Sequence, residues 1–425
     1  MSQEQSASPP GLRRSLGWRE GAAFTIAAVL GSCVLILPAV TANLAGPASL
    51  LAWGLMGVFI IPLAWVLGRL AVKKPHAGGI AAYVGDAFGP RWGRLAGFLY
   101  LGTVPIGAPL AALIGAGYMA QLIGAGIRVT IGIAVPILLV AVVLNVVGIE
   151  ISGRTASVVV LVIAAILLAS VLASVPHMSA ARFRPWMPHG WVPVGRAMAL
   201  LFWAFVGWEM LGHMTEEFTH PARDVMVSMG VALVVVDVLY VATAWATIGT
   251  GMYGPHRTAD SLARLVGLGL GASGRLVVAV LAVLIAYGTT HTYVAGFSRL
   301  VYAEARIGHL PRWLAVLHPR YRTPSRILWL MTLPWAVVLA WTFAVGRLPL
   351  ATLIAWPSAI FIVLYLLAMA SAWRLLRQRW DRLMALMGLA ISVSALPFLG
   401  AVALYPAGLL LIGALLLPRT VTASD

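Results

Sequence analysis

Gly31-Ser32-Cys33-Val34 and Phe205-Val206-Gly207-Trp208-Glu209 each lie near the middle of an apolar run long enough to cross a bilayer. Backbone polar groups at that depth must all find partners, so a glycine-centred interruption is admissible only where protein or a polar cavity surrounds it. The two runs are therefore candidates for discontinuous helices. The competing reading is that Gly31 and Ser32 only let helices pack closely.

Working outward, the chain has 425 residues, of which 61% are hydrophobic and 10% charged, with a mean hydropathy of +0.94. A soluble domain is about half apolar and about a quarter charged, so a soluble globule is excluded. A membrane-crossing helix takes about 20 apolar residues. Apolar windows between charged or Pro/Gly-rich breaks fall at 20–42, 49–68, 95–122, 130–148, 155–175, 197–215, 226–249, 275–300, 327–345, 351–373, 383–399 and 401–417. The fold class is thus an all-α polytopic membrane protein of twelve transmembrane helices. Pro397, Tyr405 and Pro406 leave 383–417 open to two readings, two spans or one interrupted hairpin.

The net charge of +16 would suit a nucleic-acid binder, but the basic residues sit in short runs between apolar stretches rather than along one face. They read as topology signals, and no nucleic-acid partner is expected. Cys33 is the single cysteine, which permits no intrachain disulfide and no Cys-based zinc site. With no Walker A sequence present, ATP-driven pumping by this chain is not expected; neither is a cofactor, a metal site or enzyme chemistry.

Met1 to Trp18 reads as a polar, uncleaved cytoplasmic tail. From that start, 21 of the 29 Lys and Arg fall inside and eight (Arg128, Arg182, Arg184, Arg196, Arg257, Arg264, Arg275, Arg347) outside. This bias predicts both termini in the cytoplasm, with Arg182 to Arg196 as the main exception. Two longer connections, Arg69 to Arg94 inside and Thr250 to Gly274 outside, are five spans apart. Five is odd, so equivalent loops land on opposite sides, as an inverted repeat requires. The expected organisation is one transporter domain: tail 1–18, a first five-helix repeat at 19–175, an inverted second repeat at 196–373, and two additional helices at 381–418.

Four motifs carry a family resemblance. Gly31-Ser32-Cys33-Val34-Leu35-Ile36-Leu37-Pro38 resembles the G-S-G-[IV]-F and proline of the first helix of the amino acid–polyamine–organocation superfamily. Phe205-Val206-Gly207-Trp208-Glu209, followed by Glu216-Glu217 and His220-Pro221-Ala222-Arg223, resembles its sixth helix. Pro75-His76-Ala77-Gly78-Gly79 with Tyr83 and Gly85 resembles the loop after helix 2, and Ser298-Arg299-Leu300-Val301-Tyr302-Ala303-Glu304-Ala305-Arg306 with Gly308, Leu310 and Pro311 the exit of helix 8. Val104 to Pro109, Phe202-Trp203, His213 and Ile360 to Leu367 are most similar to the bacterial methionine and branched-chain amino acid exporters.

The resemblance implies that helices 1 and 6 hold a zwitterionic substrate, whose two charges each need an opposite partial charge. The broken end at Gly31, Ser32, Cys33 and Val34 offers N–H groups to the carboxylate, and the carbonyls of Trp203, Ala204 and Phe205, with Val206 and Gly207 following, face the ammonium. Cys33 departs from the family's second glycine and narrows the pocket. His291 matches a substrate-contacting position, or is a satisfied core histidine. Glu209 is expensive at mid-membrane unless protonated, paired or facing water, so it is either a proton-responsive group or a cap on broken backbone. Asp237 is a second titratable site or a partner for a polar neighbour, and His213, at i+4 from Glu209, either couples to it or is interfacial. The lysine that replaces sodium in helix 5 of many relatives is absent, Ile163 standing there; Thr289 and Thr290 are weighed as sodium ligands against bonding to their own backbone.

The expected function is secondary active transport of small neutral amino acids (methionine, leucine, isoleucine, valine), directed outward, with protons as the coupling ion and the lipid bilayer as surroundings. The rivals are a proton-coupled importer, an amino acid/amine exchanger and a non-transporting sensor. Single-cysteine labelling in a Cys33→Ser background tests the topology: impermeant reagent is expected to reach position 80 from the cytoplasmic side only, and labelling from outside overturns the orientation.

Overall fold

The computed structural model describes residues 12–31, 33–254, 261–345 and 350–416. Among these the chain is helical, with short 3-10 turns, no strand, and one isolated bridge between Leu16 and Phe218. In order the helices are α1 (Trp18–Val29), α2 (Cys33–Ala45), α3 (Ser49–Lys73), α4 (Ile80–Phe88), α5 (Pro90–Leu101), α6 (Val104–Leu122), α7 (Ile127–Val147), α8 (Ile149–Ser174), α9 (Trp191–Ala204), α10 (Met210–His213), α11 (Pro221–Thr250), α12 (Ser261–Leu270), α13 (Gly274–Arg306), α14 (Ser325–Leu330), α15 (Thr332–Val345), α16 (Leu350–Leu375), α17 (Arg379–Ala395) and α18 (Leu404–Leu416).

The two interruptions fall where the glycine-centred stretches put them. The first run is split into α1 and α2, the sixth into α9 and α10. Eight helical stretches among the described residues are long and apolar enough to cross a membrane. That number is below twelve because the breaks shorten α1, α9 and α10, and because α17 and α18 have only 17 and 13 residues. A 3-10 stretch from Leu396 to Ala403 separates α17 from α18, which pack on different partners: α17 on α3 and α16, α18 on α5 and α16.

The fold is a 5+5 inverted repeat, and the packing displays it. Each long connection contains a helix where the sequence reading has only a loop: α4 follows the second span of the first half, and α12 the second span of the other half. α4 packs on α5 and α16, the third span of its own half and the last of the other; α12 packs on α13 and α8, the same two positions exchanged. Likewise α1 packs on α11 while α3 packs on α9 and α10. Large apolar side chains left exposed, such as Val158 and Leu161 on α8 and Val337 on α15, form the lipid-facing surface.

One side of the bundle is clamped by charges. Arg299 of α13 donates from Nε to Glu217 Oε1 at 2.7 Å, and both side chains are buried. The amides of Ser15 and Leu16 donate to the Glu217 carbonyl at 2.9 and 3.0 Å, and the Thr219 amide returns to Leu16 O at 3.0 Å. The chain start is thereby pinned to the segment after α10. Removing one partner leaves a buried charge without its counter-ion, which costs about 3–5 kcal/mol. Glu217→Gln is therefore expected to lower unfolding stability by about that amount in detergent, and a melting curve like that of the wild type would show that the pair holds nothing.

Candidate functional site

Two helix ends meet at the centre of the bundle. α1 stops because Leu30 leaves the helical region at ψ 56°, and the Gly31 amide turns back onto the Val29 carbonyl at 2.7 Å. α9 closes with Phe205 N–H donating to Phe202 O at 3.2 Å, after which Gly207 takes φ +131°. A Cβ on Gly207 would lie 2.9 Å from the Ala28 carbonyl carbon. Glycine is thus required there by the backbone angle and by the approach of one break to the other. Gly31 has no such need: a Cβ there would meet nothing nearer than 3.9 Å. Cys33 is the first residue of α2, so the departure from a second glycine falls at a helical position. Ser32, and the side chains of Cys33 and Trp203, lie outside the described residues.

The carbonyls that the breaks release find partners that sequence reading missed. The Tyr240 hydroxyl of α11 lies 2.7 Å from Val29 O and 3.0 Å from Ala204 O, bridging the C-terminal ends of α1 and α9. Thr289 of α13 donates to Ala27 O at 2.9 Å, and Thr290 lies 3.4 Å from Ala108 O of α6. Neither threonine bonds its own helix; both tie α13 to a neighbour. A tyrosine in mid-span, three residues from Asp237 and away from the interfaces where tyrosines collect, was the available signal for Tyr240.

Glu209 is buried beside the second break. Its Oε2 accepts from the Gly207 amide at 3.1 Å and from the Tyr365 hydroxyl of α16 at 2.5 Å, while Oε1 has no hydrogen-bond partner. The carboxylate thus bonds broken backbone through one oxygen, and the other remains available. Tyr365 sits within the Ile360 to Leu367 motif.

Between the breaks and α6, α13 and α16 lies a cavity lined by Val29, Gly31, Ala204, Val206, Thr289, Tyr293, Phe297 and Phe361, with Gly107, Leu110 and Ile114 from α6. No charged side chain is among its lining residues. Of the sequence-selected residues, Gly31, Ala204 and Val206 line it; Val34, Phe205 and Gly207 are buried alongside the breaks.

His291 is placed elsewhere. Its ring stacks on Phe24, with Nε2 2.7 Å from Ser152 Oγ and Nδ1 3.1 Å from Asn145 Nδ2; Ser152 donates to Asn145 Oδ1 at 3.3 Å. With the proton on Nε2 this closes a ring of three bonds joining α7, α8 and α13. Asp237 is also distant: half-buried on α11, it packs on Gly57 of α3 and edges an outward groove with Leu50, Val241 and Trp245. Ile163 is buried in α8. Among the described residues no group of three or more His, Cys, Asp or Glu is arranged to hold a metal.

Along α13 the cavity residues Thr289, Tyr293 and Phe297 precede Arg299 and Arg306, so the clamps lie between the cavity and the end of that helix. There Glu216 takes Arg306 at 2.7 Å and accepts from the Ala77 amide at 2.9 Å. Burial opposes the charge on Glu216, but Arg306 and that amide outweigh it and hold its carboxyl below the usual range. His213 donates from Nδ1 to Ala77 O at 2.9 Å, docking α10 on the same loop.

Two broken helices facing one another across an apolar cavity, in an inverted-repeat bundle, define a secondary membrane transporter. The chain belongs to the amino acid permease family, whose model matches residues 16–420. It is 41% identical over 94% of its length to an uncharacterized amino acid permease, YecA, of Bacillus subtilis, covering 94% of that protein. It is 30% identical over 98% of its length to the L-methionine/branched-chain amino acid exporter YjeH of Escherichia coli, covering 99% of it. The solved structure of MhsT in complex with L-phenylalanine superposes with a TM-score of 0.67 at 11% identity, covering 92% of this chain and all of that one, which bears on the fold alone.

Because Tyr240 shares its single O–H between two buried carbonyls, Tyr240→Phe is expected to cost about 1–3 kcal/mol of stability. Chemical unfolding in detergent checks this, and an unchanged midpoint would mean that the bridge contributes nothing.

Proposed function

We propose that this chain moves small neutral amino acids, with methionine, leucine, isoleucine and valine as substrates, by alternating access around the α1/α2 and α9/α10 breaks, and that it exports them. The observation that carries the reading is the cavity itself: apolar, aromatic on one wall, without a charged lining side chain, and bounded by two helix breaks. An apolar side chain fits such a wall, whereas a guanidinium or a second ammonium would be desolvated there without a counter-charge. The first-turn N–H groups of α2 suit the substrate carboxylate. Outward flux is supported by the exporter of Escherichia coli, similar along nearly the whole chain. In this reading the repeats are 19–175 and 196–373, the membrane is the bacterial inner membrane, and both termini are cytoplasmic.

The substrate reading is tested by a thermal-shift panel on the purified protein, since a ligand that binds the folded state raises its apparent stability. Methionine and leucine are expected to stabilise well above arginine, lysine and putrescine. Stabilisation by arginine without stabilisation by methionine overturns it.

Proton coupling belongs to Glu209, the carboxylate that touches the second break. Glu209→Gln keeps the hydrogen-bonding shape and removes the charge, so exchange of labelled for unlabelled methionine in proteoliposomes is expected to continue while net flux loses its response to an imposed pH gradient. Asp237→Asn is the control, because Asp237 lies away from the cavity. Unchanged gradient dependence in Glu209→Gln makes Glu209 structural only; loss in Asp237→Asn alone moves the coupling site to α11.

A further inference from the structure

Four buried polar atoms without hydrogen-bond partners are carried by residues that adjoin one another between mid-bundle and the charged clamps: Glu209 Oε1, the Tyr100 hydroxyl, His213 Nε2 and the Tyr83 hydroxyl. Buried polar groups in native proteins nearly always find partners, so four in one region call for an explanation. Tyr100 of α5 faces the Glu209 carboxylate, and its ring lies 5.1 Å from the His213 imidazole. Glu209 and His213 are four residues apart across the single turn of α10 and so share a face. Tyr83 of α4 follows: a Cβ placed on Gly212 would lie 3.4 Å from its hydroxyl. Gly79, at φ +53°, lets the loop press against the His213 ring.

His213 has a defined tautomer in this setting. Its Nδ1–H is engaged by the Ala77 carbonyl, so the lone pair is on Nε2, the atom without a partner. The other titratable groups around the cluster are Tyr365 of α16, Tyr293 of α13 and His76 of the loop. Burial lowers the pKa of His76 from its ordinary value, so it adds little competing charge near neutral pH. Beyond Tyr83, α4 contributes Ala81, Ala82 and Gly85 to an open cavity of about 320 Å³ lined also by Lys74, His76, Asp86, Glu304 and His309.

We propose that Tyr100, His213 and Tyr83 form the proton path between Glu209 and the clamped face of the protein. The inference rests on the reading of Glu209 as the coupling carboxyl. In the step directed to the clamped face the Glu209 carboxylic O–H gives its proton to the Tyr100 oxygen as Tyr100 passes its own, through water bridging the unpartnered atoms, to His213 Nε2. The products are a Glu209 carboxylate, an unchanged neutral Tyr100 and an imidazolium still held by Ala77. The imidazolium resets by giving the Nε2 proton, again through bridging water, to the Tyr83 oxygen while Tyr83 passes its own to water on the side of that cavity. The reverse sequence loads Glu209.

The test uses the full chain in proteoliposomes with labelled L-methionine and a lumenal pH dye. His213→Gln retains a donor for Ala77 but cannot become a cation, and Tyr100→Phe removes the bridging hydroxyl. Each is expected to slow net flux driven by a pH gradient about tenfold or more while methionine counterflow falls less than about twofold, and each is expected to lose the slowing in D2O that the wild type shows. His220→Gln, an exposed histidine on the same face, serves as the control and is expected to leave both rates unchanged. Net flux within about twofold of wild type in His213→Gln, with the gradient response abolished in Glu209→Gln, overturns the path and leaves the Glu209 reading standing. An unchanged gradient response in Glu209→Gln overturns the Glu209 reading itself. Loss of counterflow together with net flux in both His213→Gln and His213→Asn makes the histidine structural and likewise overturns the path.

Discussion

Everything at the centre of this protein follows from the cost of an unpaired backbone group inside a bilayer. Breaking a helix there releases carbonyls at one end and amides at the next, each worth several kcal/mol if left alone in hydrocarbon. The chain meets part of this cost with three side chains from other helices and one from the break itself: Tyr240 across Val29 and Ala204, Thr289 on Ala27, and Tyr365 with Glu209 on the Gly207 amide. These bonds make the breaks permanent features, and the same bonds join α11, α13 and α16 to the two helices that must move for access to alternate. A transporter of this design cannot shift a break without exchanging the partners of its backbone.

The need for tight approach at Gly207 is of the same origin. With φ +131° and the Ala28 backbone against it, a side chain at this position would push the two breaks apart and open the backbone to lipid or water. A Cβ on Gly31 would meet only ordinary contacts, at 3.9 Å or more, and Gly31 lines the cavity. The two glycines that look alike in the sequence thus do different things: one permits contact between the halves, and the other leaves room.

How much of this was legible depended on range. The breaks, the inverted repeat and the family could be read because glycine position, charge asymmetry and loop spacing are properties of consecutive residues. α4 and α12 were not read, because short helices within connections carry no membrane-length apolar run. His291 and Glu209 looked equivalent as polar residues deep in spans, yet Asn145 and Ser152 absorb the first into a closed ring of bonds. Only tertiary contacts distinguish these cases: the partners lie 139 to 156 residues away in sequence, and single residues carry no mark of whom they will meet. Tyr240 escaped notice for the same reason, although its depth in α11 set it apart from the interfacial aromatics.

Keeping Glu209 out of the cavity lining while bonding it to the backbone that borders the cavity separates two tasks. In the proposed function the substrate meets an apolar wall, so selectivity for neutral side chains would not depend on protonation. A proton on Glu209 would act on Gly207, two residues away and next to the lining residue Val206. A carboxylate is a stronger acceptor for that amide than a carboxylic acid. Charging Glu209 therefore tightens the bent segment after α9, and neutralising it loosens that segment without adding a charge to the pocket. In the proposed mechanism, coupling travels through one backbone amide at the edge of the site, where a change of acceptor strength alters the geometry of the break while the surface that recognises the amino acid remains the same.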